Sequence, residues 1–375
     1  MPKRSPPDAG EVLGRRVLNR ALLARQGLLR RWTVPPAEAV ERLVGMQAQA
    51  PDPPYVGLWT RLEGFRPEEL SRLVEQRAVV RIALMRSTIH LVTARDGLAL
   101  RPLLQPVLDR AFRGAYGRRL EGMDTAALAD AARALVQEKP RTYADVGAAL
   151  GERWPDRDPA ALSAAARTLL PLVQVPPRGL WGRSGPAAHT TAEAWLGRRL
   201  DTDYPVDDVV LRYLAAFGPA TVADVQTWSG LTRLKDVVER LRPGLLAFRD
   251  EQGRELFDFP DAPRPHPETP APARFMAEWD NVLLSHADRT RVISEDHRRR
   301  IFTPNGIFPG TILVDGFVAG TWKIERHRGA ATLRVEPFAP VAAGDQAALS
   351  EEGERLLDFA AAEIPTREVR FAAPG

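Results

Sequence analysis

Helix, helix, helix, hairpin is written three times into the first 260 residues of this 375-residue chain. A pattern that repeats at this scale limits the fold before any single residue is weighed. In the first copy, residues 36–49 carry apolar Val40, Leu43, Val44 and Met46 at helical spacing. A second helix is expected after Pro54. "RPEELSRLVEQR" then opens with Pro67 and two glutamates, a good helix start, and presents Leu70, Leu73 and Val74 on one side. "AVVRIALMRSTIHLV" is rich in β-branched residues and long enough for two short strands. The second copy occupies residues 124–184, with Asp158 as a helix cap and "VQVPPRGLWGR" as its hairpin. The third, residues 205–260, has Thr221 as a cap and a hairpin turning at Glu251, Gln252 and Gly253.

This order is that of a winged helix, a unit whose third helix enters the major groove of DNA while its hairpin touches the backbone. The proline-rich stretch "PDAPRPHPETPAPAR" closes the third copy, and the composition changes after it. "GTILVDGFVAGTWKIERHRGAATLRVEPF" alternates apolar and polar residues between glycine turns, as in a small antiparallel sheet or barrel. A packing helix is expected in "DQAALSEEGERLLDFAAAE" and a last strand in "TREVRFA". The expected fold is α+β, with three tandem winged-helix (helix-turn-helix) units and a C-terminal domain that is an antiparallel sheet or β-barrel-like. Its divisions are a lead helix and first unit at 1–123, units at 124–204 and 205–262, a linker at 263–273 and the C-terminal domain at 274–375.

The charge supports DNA as partner without requiring it. Lysine and arginine total 52, yet only Lys3, Lys139, Lys235 and Lys323 are lysine, and the pI is about 9.7. A GC-rich genome explains an arginine bias; phosphate contact explains it too, because the planar guanidinium fork suits phosphate. Candidate DNA contacts are Arg61, Arg72, Arg77, Arg81, Arg86, His90, Arg167, Arg233, Lys235 and Arg240. The same residues also suit ordinary solvated helix faces.

Many chemistries lack their residues. With no cysteine there is no thiol nucleophile, disulfide or Cys-based zinc site. Phosphate-cradling glycine loops with lysine, Gly-x-Ser-x-Gly elbows and His-Glu-x-x-His pairs are missing as well. His286 and Asp288 in "SHADR" suggest a surface turn or cap rather than a metal pair, and Asp280 in "WDN" reads as structural. No metal and no cofactor are expected. No run approaches the roughly 20 apolar residues of a membrane span, and "MPKRSPPDAGEV" lacks the apolar core of a signal peptide. A monomer in the cytoplasm, associated with the nucleoid, is the expectation.

One motif remains. "GMQAQAPDPP" sets Gln47 and Gln49 one residue apart just before Pro51. Within a helix, positions i and i+2 point about 200° apart. The residue before a proline avoids the helical region, so the chain is expected to leave the helix here and let the two amides converge. Carboxamides cannot act as ordinary general bases, but they can hold a water or a base edge. Three readings stay open: capping or surface glutamines, adenine contacts in a groove, and water positioning for a reaction that needs little acid–base help. Loss of an N7-alkylated purine from deoxyribose is such a reaction, because the cationic base leaves readily.

The sequence also resembles the AlkZ/YcaQ-like winged-helix DNA glycosylases. The likeness lies in "NRALLARQGLL", "VGMQAQAPDPPYVGLWTRL", "LMRSTIHLV", "WDNVLLSHADRTRV" and "GIFPGTILVDGFVAGTWKI", and covers almost the whole chain in order. It implies a C-shaped clamp on duplex DNA. It also implies a Gln-x-Gln catalytic motif at Gln47 and Gln49, as in the AlkZ-like branch, where the YcaQ branch carries aspartate second. The implied activity is monofunctional removal of N7-alkylated purines or bulky and crosslink adducts from double-stranded DNA. The competing reading is a noncatalytic winged-helix transcriptional regulator.

Overall fold

The computed structural model describes residues 10–302 and 308–373. Gly306 and Ile307 of "GIFPG", and the outermost residues of the first and last expected divisions, lie outside them. The chain opens with β1 (Val12–Leu13) and α1 (Arg15–Arg25). The first copy comprises α2 (Pro36–Arg42), β2 (Met46–Gln47), α3 (Pro53–Trp59) and α4 (Pro67–Glu75). Its hairpin is β3 (Val79–Ala83) and β4 (Ile89–Thr93). Two helices, α5 (Ala94–Leu103) and α6 (Gln105–Tyr116), lead to the second copy. That copy comprises α7 (Thr125–Glu138), β5 (Arg141–Thr142), α8 (Tyr143–Arg153), α9 (Pro159–Leu169), β6 (Leu172–Gln174), β7 (Ala188–Thr191) and α10 (Ala192–Leu196). The third holds α11 (Val206–Phe217), α12 (Val222–Ser229), α13 (Lys235–Leu241), β8 (Leu246–Asp250) and β9 (Glu255–Asp258). The remainder is β10 (Arg274–Met276), α14 (Glu295–Ile301), β11 (Gly310–Val314), β12 (Phe317–His327), β13 (Ala330–Pro337), α15 (Ala343–Ala360) and β14 (Thr366–Phe371).

Local chemistry sets several boundaries. Asp158 accepts from Ala160 N at the start of α9, and Thr221 forms a capping box with Asp224 at the start of α12. Gly230, at φ 80°, ends α12 in the left-handed conformation. The first helix stops sooner than its apolar spacing predicts. It ends at Arg42, because Val44 (φ 53°) and Gly45 (φ 91°) take left-handed backbone and Met46–Gln47 becomes a strand.

The hairpins do not stay separate. β3 pairs with β6, so the first two copies share a six-stranded sheet of order β2-β4-β3-β6-β7-β5. β1 adds to the third hairpin in a sheet of order β1-β8-β9. One hydrophobic core runs through α1, the first and third copies and the C-terminal region, including Leu22, Tyr55, Phe217, Trp228 and Phe275. The second copy packs around its own core of Leu128, Ala132, Val146 and Leu162.

The C-terminal part is not a closed barrel. It is an open five-stranded sheet, β10-β11-β12-β13-β14, whose last strand joins β13 in parallel. The 18-residue helix α15 packs against β10, β13 and β14. Apolar residues that a barrel would turn inward are covered by this helix instead, through Leu349, Leu356 and Leu357.

Candidate active site

The left-handed turn at Val44 and Gly45 delivers the glutamine motif to the edge of the sheet. A Cβ on Gly45 would lie 2.5 Å from Val92 Cγ1 and 3.2 Å from Leu91 O, so only glycine lets the backbone pass this close. β2 then pairs antiparallel with β4, Gln47 opposite His90, and Ala48 N donates to Ile89 O at 2.8 Å. The strand ends at Gln47, and Gln49 lies in the bend that follows. Gln47 Oε1 accepts from Arg86 Nη2 at 2.7 Å, and Gln49 Oε1 accepts from Ile89 N at 3.2 Å. Both amides therefore reach the same hairpin, although Gln47 is 7% exposed and Gln49 faces solvent.

Arg81 holds this conformation from below. Its guanidinium donates to Ala48 O (2.7 Å), Ala50 O (3.2 Å) and Gln174 Oε1 (3.0 Å), clasping the backbone on either side of Gln49. Burial lowers its pKa to about 10, still well above neutrality.

The turn between β3 and β4 gathers the rest of the molecule. Arg86 (φ 56°) and Ser87 (φ 59°) both occupy left-handed backbone without being glycine. Arg86 Nη1 donates to Trp228 O at 2.7 Å, at the end of α12. Its Nη2 also reaches Asn281 Oδ1 at 3.2 Å, while Asn281 Nδ2 donates to Gly45 O at 3.2 Å. From the second copy, Arg167 Nη2 donates to Ser87 O at 2.9 Å.

Charge at the site is uneven. Burial, and then the neighbouring Arg289, lower the Arg86 pKa to about 10. Burial and the Arg86 charge push His90 down to about 3, so its ring is neutral. Glu278 is held above the usual carboxylate range by burial and by Asp52. Glu278, Gln47, Arg61 and Asn281 line a cavity of about 10 Å³, the size of one water. Gln49 is not part of its wall.

The expected DNA contacts divide into three groups. Arg61, Arg81 and His90 are interior, at 1%, 2% and 0% exposure, which corrects their reading as surface contacts. Arg61 closes a two-pronged pair on Asp280 at 2.8 Å, which bears out the structural role read for that aspartate. Such a buried pair is costly to break, about 3–5 kcal/mol, because a lone charge is left behind. Arg77, Arg86, Arg167 and Arg240 have protein partners: Arg77 lies 4.0 Å over the Trp195 ring, and Arg240 grips Asp207 at 2.5 Å. Arg72, Arg233 and Lys235 are exposed, with no side-chain hydrogen bond or ion pair among the described residues. His286 is no surface turn; it is buried against Phe217 O at 3.1 Å, while Asp288 pairs with Arg254 and caps Thr290. The sequence reading missed Asn281 and Arg289. Both sit in motifs already singled out, "WDN" and "SHADR", where attention fell on the neighbouring acids.

Residues 40–359 match the family described as DNA glycosylase AlkZ-like. The chain belongs to this AlkZ-like family and is a DNA glycosylase, an enzyme whose substrate is DNA. Its structure is similar to that of the Streptomyces sahachiroi DNA glycosylase AlkZ, with a TM-score of 0.79. That similarity covers 96% of this chain and 100% of the other at 19% sequence identity. No curated protein matches the chain in sequence. Family membership sets aside the noncatalytic regulator. Among the described residues no helix is long and apolar enough to cross a membrane.

Proposed function

We propose that the protein hydrolyses the N-glycosidic bond of N7-alkylated purines, bulky and crosslink adducts included, in duplex DNA, with Gln47 and Gln49 positioning the water. The observation that carries this reading is that both carboxamides are bonded to the β3–β4 hairpin, Gln47 from strand β2 and Gln49 from the bend after it, with Arg81 clasping the backbone on either side of Gln49. The bond between the sugar carbon and the purine nitrogen breaks with its electron pair going to the base, which loses its positive charge. Water attacks the sugar cation, releases a proton to solvent and leaves an abasic site. Neither step needs a strong base. Positioning and electrostatics suffice, from the carboxamide oxygens.

In the same reading the three helix–hairpin copies are winged helices of a monomeric, C-shaped clamp. Arg72, Arg233 and Lys235 supply exposed charge for phosphates. The test is release of free base from a duplex containing N7-methylguanine. The wild-type protein releases it, whereas Gln47→Ala and Gln49→Ala each lose about a hundredfold or more in rate while still binding the duplex. Failure of the wild-type protein on N7-methylguanine and on a panel of bulky N7 adducts overturns the proposal.

A further inference from the structure

Buried arginines in this protein usually meet a carboxylate. Arg25 closes on Asp258 at 2.7 Å, Arg31 on Glu352 at 2.5 Å and Arg61 on Asp280 at 2.8 Å. Arg81 and Arg101 lack one, but each sits deep in the fold and closes on main-chain carbonyls. Arg86 differs. It is only half-buried, and its acceptors are all neutral: Gln47 Oε1, Asn281 Oδ1 and Trp228 O. The charge of a second cation, Arg289, acts on it. The Arg289 guanidinium lies 4.4 Å from the Phe302 ring centroid, and its Nε has no hydrogen-bond partner among the described residues. The neighbouring Arg298 is already matched by Glu295 at 2.9 Å.

A guanidinium on Gln47 with no carboxylate among its acceptors conflicts with the reaction assigned to that residue. Departure of the base leaves positive charge on the sugar, which a nearby cation repels. The same cation occupies the carbonyl oxygen of Gln47. A phosphate resolves both problems, since an anionic acceptor binds a guanidinium about twice as strongly as a neutral one.

We propose that Arg86 and Arg289 form a binding site for a DNA phosphodiester next to the damaged nucleotide, and that this phosphate draws Arg86 Nη2 off Gln47, freeing the Gln47 carbonyl. Only the Nη2 end has to exchange partners; Nη1 stays on Trp228 O. Arg86 is in this sense a positioning residue acting through Gln47. The inference rests on Gln47 as a water-positioning residue.

The experiment uses duplexes with one N7-methylguanine, in which each of the three phosphodiesters on either side of the lesion is replaced in turn by a neutral methylphosphonate. Base release is followed in single turnover at saturating protein. At one position the wild-type rate falls about tenfold or more. Arg86→Gln leaves no guanidinium on Gln47, so its rate no longer falls at that position, while Arg86→Lys keeps part of the sensitivity. Arg289→Gln weakens binding and lowers the slope of log affinity against log salt by about one. Equal wild-type rates across the whole scan overturn the proposal without relying on any variant's folding, as does unchanged phosphonate sensitivity in Arg86→Gln. Gln47→Ala separates the two ideas. Full base release by that variant sinks the underlying reading, whereas an inactive Gln47→Ala together with a flat scan sinks only the phosphate site.

Discussion

Gln47 and Gln49 show how far one residue type can diverge over two positions. Gln47 is fixed in a ladder opposite His90 and bound to a guanidinium; Gln49 stands in the bend beyond the ladder, exposed, with its oxygen on a backbone amide. Histidines diverge just as much from their ordinary state. His189 is fully buried, stacked 4.0 Å from Tyr143, and burial lowers its pKa to about 4. An unfolded histidine titrates near 6.5. The neutral ring therefore favours the folded state fully above that value, and the advantage is lost as pH falls from about 6.5 towards 4. At pH 5 the loss is about 2 kcal/mol for this one residue. Urea denaturation at pH 7 and pH 5 is expected to show a smaller acid-induced drop for His189→Phe than for the wild-type chain; equal drops would contradict the burial argument.

At the scale of elements, the decisive feature is a helix that ends early. The pre-proline rule places the exit from helix near Ala50, yet α2 ends at Arg42 because the next turn must pass under Val92. Gly45 makes that passage possible. Gly45→Ala is expected to push β2 off β4 and slow base release at least about tenfold, with duplex affinity within about twofold of wild type. Unaltered single-turnover rates in that variant would mean that the pairing of β2 does not position the glutamines. The C-terminal sheet teaches a related lesson. Alternating residues predict strands equally well for an open sheet and a barrel; the choice was made by α15, which covers the face, and by β14, which extends the edge in parallel.

The whole molecule converges on the short turn at Arg86 and Ser87. The second copy reaches it through Arg167, the third through Trp228, and the C-terminal region through Asn281. The six-stranded sheet fastens the first two copies together, so the site is built by assembly rather than by one copy alone. Global charge follows the same logic of partners. Lys235 is exposed without an ion pair among the described residues, whereas Arg240 on the same helix is held by Asp207. Lys235→Ala should lower the salt slope of duplex binding by about one, and Arg240→Ala by clearly less. Fluorescence anisotropy across a salt series reads both, and equal slopes for the two variants would refute the distinction.

What the sequence determined by itself was local. Proline, aspartate and threonine at helix starts, β-branched runs, and a glycine turn at Gly253 located most helices and the first and third hairpins, because caps, turns and side-chain periodicity act within a few residues; the second strand of the second hairpin, Ala188–Thr191, lies beyond the stretch read as that hairpin. The glutamine pair was legible for the same reason. Only the tertiary structure decided what each arginine meets. Asp280 is 219 positions from Arg61, Trp228 is 142 from Arg86 and Ala48 is 33 from Arg81. A guanidinium reads the same in sequence whether it faces a carboxylate, a carbonyl or solvent. Its role is fixed by burial and by the partner that long-range packing brings to it.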